Sequence, residues 1–236
     1  MRLEGKTAIV TGGSRGIGAA IAEGFAREGA QVIIASRKQA ALDAMAADIN
    51  ERIGADRVFA RACHSGDAEQ ISALVDWASE DLGVPTILVN NAATNPYFGP
   101  MLDLEWAAWD KTFEVNVKGY FEATRQVARR LLDAQVEGSI INVASIFGLK
   151  GAPLQGIYGM TKAAVVSMTE TLALELGHAG IRVNAICPGL VETKFAGIMV
   201  GTPEISSRYT DRAALHRWGQ PDELTGLATF LASDES

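Results

Sequence analysis

Thr11-Gly12-Gly13-Ser14-Arg15-Gly16-Ile17-Gly18 is the stretch on which the reading of this chain turns. It follows the short apolar run at residues 7–11 and leads into a segment whose helical character is expected to begin near Ile17. A strand, a glycine-rich turn and a helix in that order make an anion-binding device. Glycines permit the tight turn and close backbone approach, while the helix start presents unpaired N–H groups and the positive end of its dipole. The spacing is G-x-x-x-G-x-G, without the G-x-G-x-x-G of the common dinucleotide fingerprint or the Gly-Lys-Ser/Thr end of a P-loop. A nicotinamide cofactor therefore suits the turn better than ATP, with Gly12, Ser14, Arg15, Gly16, Ile17 and Gly18 as its expected contacts. The alternative, an ordinary glycine-rich turn, is disfavoured by the strand before it and the helix after it.

Working outward, short β-branched apolar runs recur at residues 7–11, 32–35, 57–62, 86–90, 139–143 and 182–186, each followed by helical or loop-like sequence. Continuous apolar runs suit strands buried on both faces, and β–α alternation with right-handed crossovers gives a doubly wound, Rossmann-like α/β fold: a parallel sheet flanked by helices. At 236 residues, one domain spanning residues 1–236 is expected. Asp67-Ala68-Glu69-Gln70 reads as a variant capping box opening a helix that Gly83 should stop, and residues 191–210 read as the mobile stretch.

The formal charge of −7 argues against a nucleic-acid partner, and 48% hydrophobic with 21% charged residues describes an ordinary globule. Cys63 and Cys187 lie far apart, which suggests neither a disulfide framework nor a metal site. The N-terminus enters a strand-like run at once and no long apolar segment occurs, so the expectation is a cytoplasmic protein with no membrane partner.

The end of the second strand reads Ser36-Arg37-Lys38, where an acidic residue would bind both ribose hydroxyls and repel a 2′-phosphate. With no acid there, and with Arg15 able to join Arg37 and Lys38 on one phosphate, NADP(H) is favoured over NAD(H); solvated surface charge is the alternative. Tyr158-Gly159-Met160-Thr161-Lys162 places a phenol and an ammonium on one helix face, a pairing that favours the ionised phenol and suits proton transfer.

Taken with Asn90-Asn91-Ala92, Asn116, Ser145 and Pro188-Gly189, these motifs make the chain resemble the short-chain dehydrogenase/reductases of the single-domain kind, over essentially its whole length. The resemblance implies a catalytic set of Asn116, Ser145, Tyr158 and Lys162. Tyr158 exchanges a proton with the substrate oxygen, Ser145 holds that oxygen, Lys162 lowers the Tyr158 pKa and binds the nicotinamide ribose, and Asn116 holds a water of a proton relay. It also implies cofactor contacts from Asn91, and from Pro188, Gly189, Val191 and Thr193 at the nicotinamide end. A small-molecule carbonyl or alcohol substrate and a homo-oligomer, dimer or tetramer, are implied as well.

Departures accompany the match. Ala93 stands where the family has glycine, and Cys63-His64-Ser65 stands where it has an aspartate for the adenine amino group, with His64 retained as a contact. Ser236 ends the chain before the family's seventh strand and tail, which leaves the sixth strand as an expected open edge. Asn95-Pro96-Tyr97-Phe98, Phe147, Leu149, Leu154, Phe195, Ile198 and Met199 favour an apolar or aromatic group beside the reacting carbonyl. The leading expectation is an NADPH-dependent ketone or aldehyde reductase. The alternatives are a 3-oxoacyl-carrier-protein reductase, its acidic carrier docking near Arg129-Arg130, and an NAD-linked alcohol dehydrogenase.

Overall fold

In the computed structural model, which describes residues 1–236 except for the side chains of Ile198, Pro203, Glu204, Ile205 and Arg208, the apolar runs form six parallel strands. They are β1 (Thr7–Thr11), β2 (Gln31–Ser36), β3 (Val58–Ala62), β4 (Ile87–Asn90), β5 (Gly138–Val143) and β6 (Ile181–Ile186). Each lies within one residue of its expected bounds. Their order is β3-β2-β1-β4-β5-β6, so the chain builds outward from β1 in one direction and then restarts beside β1 in the other. Such a reversal leaves a crevice at the carboxyl ends of β1 and β4, where the loops that follow them part.

The helices are α1 (Gly16–Arg27), α2 (Gln39–Ile53), α3 (Ala68–Asp81), α4 (Trp106–Phe113), α5 (Gly119–Ala134), α6 (Gly156–Leu176), α7 (Gly197–Gly201), α8 (Pro203–Thr210) and α9 (Thr225–Ala232). Strand side chains alternate between faces, and both faces are covered. Ala8 and Val10 pack with α1, α2 and α9 through Phe25, Leu42 and Ala228, whereas Ile9 and Leu88 pack with α3 and α5 through Leu74 and Val127. Burial on both sides is the reason these strands read as unbroken apolar runs.

Local signals act where they were expected. The Asp67 carboxylate accepts from the Glu69 and Gln70 backbone N–H groups at the start of α3, and Gly83 stands just beyond its end at φ +86°. Two features were not legible locally. Residues 191–210 contain the two short helices α7 and α8, and Asn116 sits in a π-helical turn, Glu114–Lys118, between α4 and α5. One extra residue in a turn re-aims the side chains that follow it, and such turns recur at functional sites.

Beneath the crevice a buried amide network joins the two layers. Asn90 Nδ2 donates to Asn142 Oδ1 at 2.9 Å and to Thr124 Oγ1 at 3.0 Å, and Asn142 Nδ2 donates to Thr169 Oγ1 at 2.9 Å. β4, β5, α5 and α6 are thereby linked, although Asn90 Oδ1 is buried without a partner.

Close backbone approach sets a test of this packing. A Cβ at Gly119 would fall on the Ser65 carbonyl oxygen, whereas one at Gly226 on α9 would meet nothing. Gly119→Ala should cost about 1–3 kcal/mol of stability, and Gly226→Ala should be neutral or stabilising by up to about 1 kcal/mol. Thermal unfolding of the two variants checks the difference; equal melting temperatures would contradict the close approach of α5 to the loop after β3.

Candidate active site

The loops after all six strands and the first turns of α1 and α6 line a cavity of about 540 Å³. The Thr11 hydroxyl holds its floor: it accepts from Asn91 N at 2.9 Å and Ala92 N at 3.1 Å, and donates to Val89 O at 3.3 Å. Asn91 returns the bond through its carboxamide, which donates to Thr11 O at 2.9 Å. The diverging ends of β1 and β4 are thus tied at one point.

Gly12, Ser14, Arg15, Gly16 and Ile17 line the cavity, and Gly18 does not. Gly18 is packed where a Cβ would strike Asn91 Nδ2 and Gly12 O, so its part is close helix–strand approach. Gly12 and Gly16 have φ of +68° and +58°, the left-handed region that glycine tolerates. No side chain caps α1, and its first turn carries no acidic residue, so its leading N–H groups open into the cavity. An anionic pyrophosphate fits such a cradle.

Charge is sharply segregated. In a chain of net charge −7, the described lining residues include Arg15, Arg37, Lys38, Lys111, Lys162 and Lys194 and no carboxylate. Arg15, Arg37 and Lys38 are exposed and have no carboxylate partner among the described residues. They share one end of the cavity wall with Ser36. His64 lines the cavity too, its ring held between Gly66 N, which donates to Nδ1 at 3.0 Å, and Lys111 Nζ, 3.1 Å from Nε2.

At the other end stand Ser145, Tyr158 and Lys162, with Pro188, Gly189, Val191 and Thr193 facing them. The Ser145 side chain, at the end of β5, accepts from Phe147 N and stands beside the Tyr158 phenol, whose pKa it lowers. Lys162 is fully buried, its Nζ donating to Val143 O at 2.7 Å and Tyr120 Oη at 3.3 Å, close to the rings of Tyr120 and Tyr158. Two of its three N–H groups are spent there, and the cavity is open to the third.

The electrostatics differ from the expectation. Burial pushes the Tyr158 phenol up to about 12, opposed only by the Ser145 hydrogen bond, and pulls the Lys162 amine down to about 7. Desolvation therefore outweighs the expected depression of the phenol by the lysine. The Asn116 side chain lies behind the wall, accepting from Thr94 N at 2.8 Å and donating to Thr94 O and Thr161 Oγ1. It braces the wall against α6.

On the substrate side Phe147, Phe195 and Met199 line the cavity as expected. Phe98, Leu149 and Leu154 do not line it, and the Ile198 side chain lies outside the described residues. Gln155, Tyr209 and Thr94 complete the wall, and Tyr120 supports Lys162 from beneath. Gln155 had a local signal, one helical turn before Tyr158; Tyr120 and Tyr209 had none.

A family model described as "Enoyl-(Acyl carrier protein) reductase" matches residues 12–236. "Dehydrogenase/reductase SDR family member 4" of Caenorhabditis elegans is 40% identical over 238 residues, covering 100% of this chain and 91% of the relative. A solved gluconate 5-dehydrogenase from Burkholderia cenocepacia, in complex with NADP and tartrate, superposes with a TM-score of 0.92 at 32% identity, covering 98% of this chain and 89% of that one. An NAD⁺-bound xylitol dehydrogenase superposes with a TM-score of 0.92 at 30% identity, covering 100% and 95%.

The buried lysine sets a pH dependence. Between its folded value of about 7 and the ordinary 10.5, the unfolded chain binds a proton that the folded chain does not. Stability from this group accordingly rises with pH across that window and is lowest below it. Above pH 10 the raised Tyr158 phenol acts oppositely, because there the folded chain holds the extra proton. Measured by thermal unfolding against Lys162→Met, the wild type should gain stability relative to the variant from pH 7 to pH 10. A difference that does not vary with pH would contradict a desolvated amine.

Proposed function

The chain belongs to the short-chain dehydrogenase/reductase family of oxidoreductases, and we propose that it moves a hydride between NADP(H) and a ketone or aldehyde, or the corresponding secondary alcohol. The observation that carries this reading is that one cavity is lined by Ser145, Tyr158 and Lys162 at one end and by carboxylate-free Arg15, Arg37 and Lys38 at the other.

The cofactor, when bound, supplies or accepts the hydride. Gly12, Ser14, Arg15, Gly16 and Ile17 would hold its pyrophosphate. Ser36, Arg37 and Lys38 would hold a 2′-phosphate, with Asn91 and His64 along the adenosine. Pro188, Gly189, Val191 and Thr193 would hold the nicotinamide, and Lys162 its ribose. Tyr158 gives its phenolic proton to the carbonyl oxygen in reduction and takes one back in oxidation. A phenol held at about 12 is protonated at neutral pH, the form that can donate to a carbonyl oxygen. The Ser145 hydroxyl hydrogen-bonds the same oxygen as negative charge develops on it.

The name of the matched family model favours a second reading, an acyl-carrier thioester substrate. The expected docking pair weakens it, because Arg130 is already bound to Asp76 on α3. We place the protein in the cytoplasm, in keeping with two free cysteines, and as a homo-oligomer, in keeping with the exposed Phe121 and Leu132 on α5.

Initial rates with both cofactors test the reading. NADPH should be preferred, and Arg37→Ala should erode that preference by roughly 10-fold or more, the worth of a charge-assisted contact. A wild-type preference for NADH would overturn the assignment of Arg37. Tyr158→Phe should lower kcat by several orders of magnitude while leaving the NADPH dissociation constant within about threefold; a modest loss of kcat would contradict the proton-transfer role.

A further inference from the structure

Gln155 is only 1% exposed, yet its carboxamide lies in the wall of the substrate end of the cavity. Its Nε2 donates to the Met199 thioether at 3.2 Å, and its Oε1 accepts from Asn95 Nδ2 at 3.2 Å. Asn95 Oδ1 is itself buried with no partner. A thioether is a weak acceptor, so a buried primary amide with two N–H groups is under-satisfied here. Burying a leucine or methionine at this position would be cheaper if the role were only to fill space.

The backbone beside it is strained in a way that aims it. Leu154 is in the left-handed region at φ +66°, rare for a residue with a branched side chain, and its carbonyl accepts from Gly99 N at 2.9 Å. That bond joins the loop before α6 to the loop carrying Asn95. Gln155 is then the N-cap residue of α6, three positions before Tyr158, and both side chains line the same cavity.

Resting on the carbonyl-reductase reading above, we propose that Gln155 is a specificity-determining residue. Its amide N–H hydrogen-bonds an oxygen on the carbon next to the reacting one, so the preferred substrate is an α-hydroxyketone. Gln155 and Tyr158 line the same cavity, so a second substrate oxygen can meet the amide while the first meets the phenol. A neutral amide suits a neutral hydroxyl. Phe147, Tyr209, Phe195 and Met199 supply an apolar wall for the other substituent of the ketone. On binding, the substrate hydroxyl replaces the Met199 sulfur as the acceptor for Gln155.

The test compares 2-hydroxyacetophenone with acetophenone, which differ by that one hydroxyl, in the wild type and in Gln155→Leu, with NADPH and with NADH. The ratio of the two kcat/KM values should fall roughly 10- to 100-fold in the variant, as for a lost substrate hydrogen bond, while acetophenone reduction is retained. Unchanged NADPH affinity, followed by its fluorescence, shows that the variant holds its fold. As a measurement on the wild type alone, 1-phenylethane-1,2-diol should inhibit at least about 10-fold more tightly than 1-phenylethanol. Parallel loss of both ketones, an unchanged ratio, or equal inhibition by the two alcohols overturns the role of Gln155 and leaves the reductase reading standing. Turnover of neither ketone by the wild type with either cofactor overturns both readings, whereas a shifted ratio seen only with NADH supports the role of Gln155 and overturns the cofactor preference.

Discussion

A single hydroxyl, that of Thr11, closes the point where the sheet reverses direction. By accepting two backbone N–H groups of the β4 loop and donating to the Val89 carbonyl, it binds together two chain segments some eighty residues apart in sequence. Added to the β1–β4 ladder and to the Asn91 bond to Thr11 O, this tie fixes how far the glycine turn on one side and Asn91 on the other part beyond the strand ends.

Burial then does electrostatic work at the two ends of the cavity in opposite ways. At the end of Arg15, Arg37 and Lys38 the charges are exposed, held apart from carboxylates and ready for an anion. At the end of Tyr158 and Lys162 the groups are desolvated, and both are pushed toward their neutral forms. The Val143 carbonyl and the Tyr120 hydroxyl keep the amine in place.

The substrate end is assembled differently, from loops. Residues 94–100, 147–155 and 191–210 reach it from three places in the sequence, and they are joined by contacts such as Gly99 N to Leu154 O and the tilted Phe195–Tyr158 ring pair. Such walls vary without disturbing the sheet, because none of their side chains belongs to the core faces of the strands.

The amino-acid sequence by itself determined the features whose physical cause is local. Strands buried on both faces must be continuous apolar runs, the φ values of Gly12 and Gly16 suit glycine, Asp67 caps its own helix, and a Tyr-x-x-x-Lys spacing must share one helix face. These signals placed all six strands and the Tyr158–Lys162 pair. Only the tertiary structure decided that Asn116 turns to Thr94, that Arg130 pairs with Asp76, and that Gln155 and Tyr209 line the cavity while Phe98, Leu149 and Leu154 do not. It also decided that burial raises the Tyr158 pKa. Each of these depends on which atoms of a distant segment come within reach and how much water they exclude, and neither is encoded in the spacing of neighbouring residues.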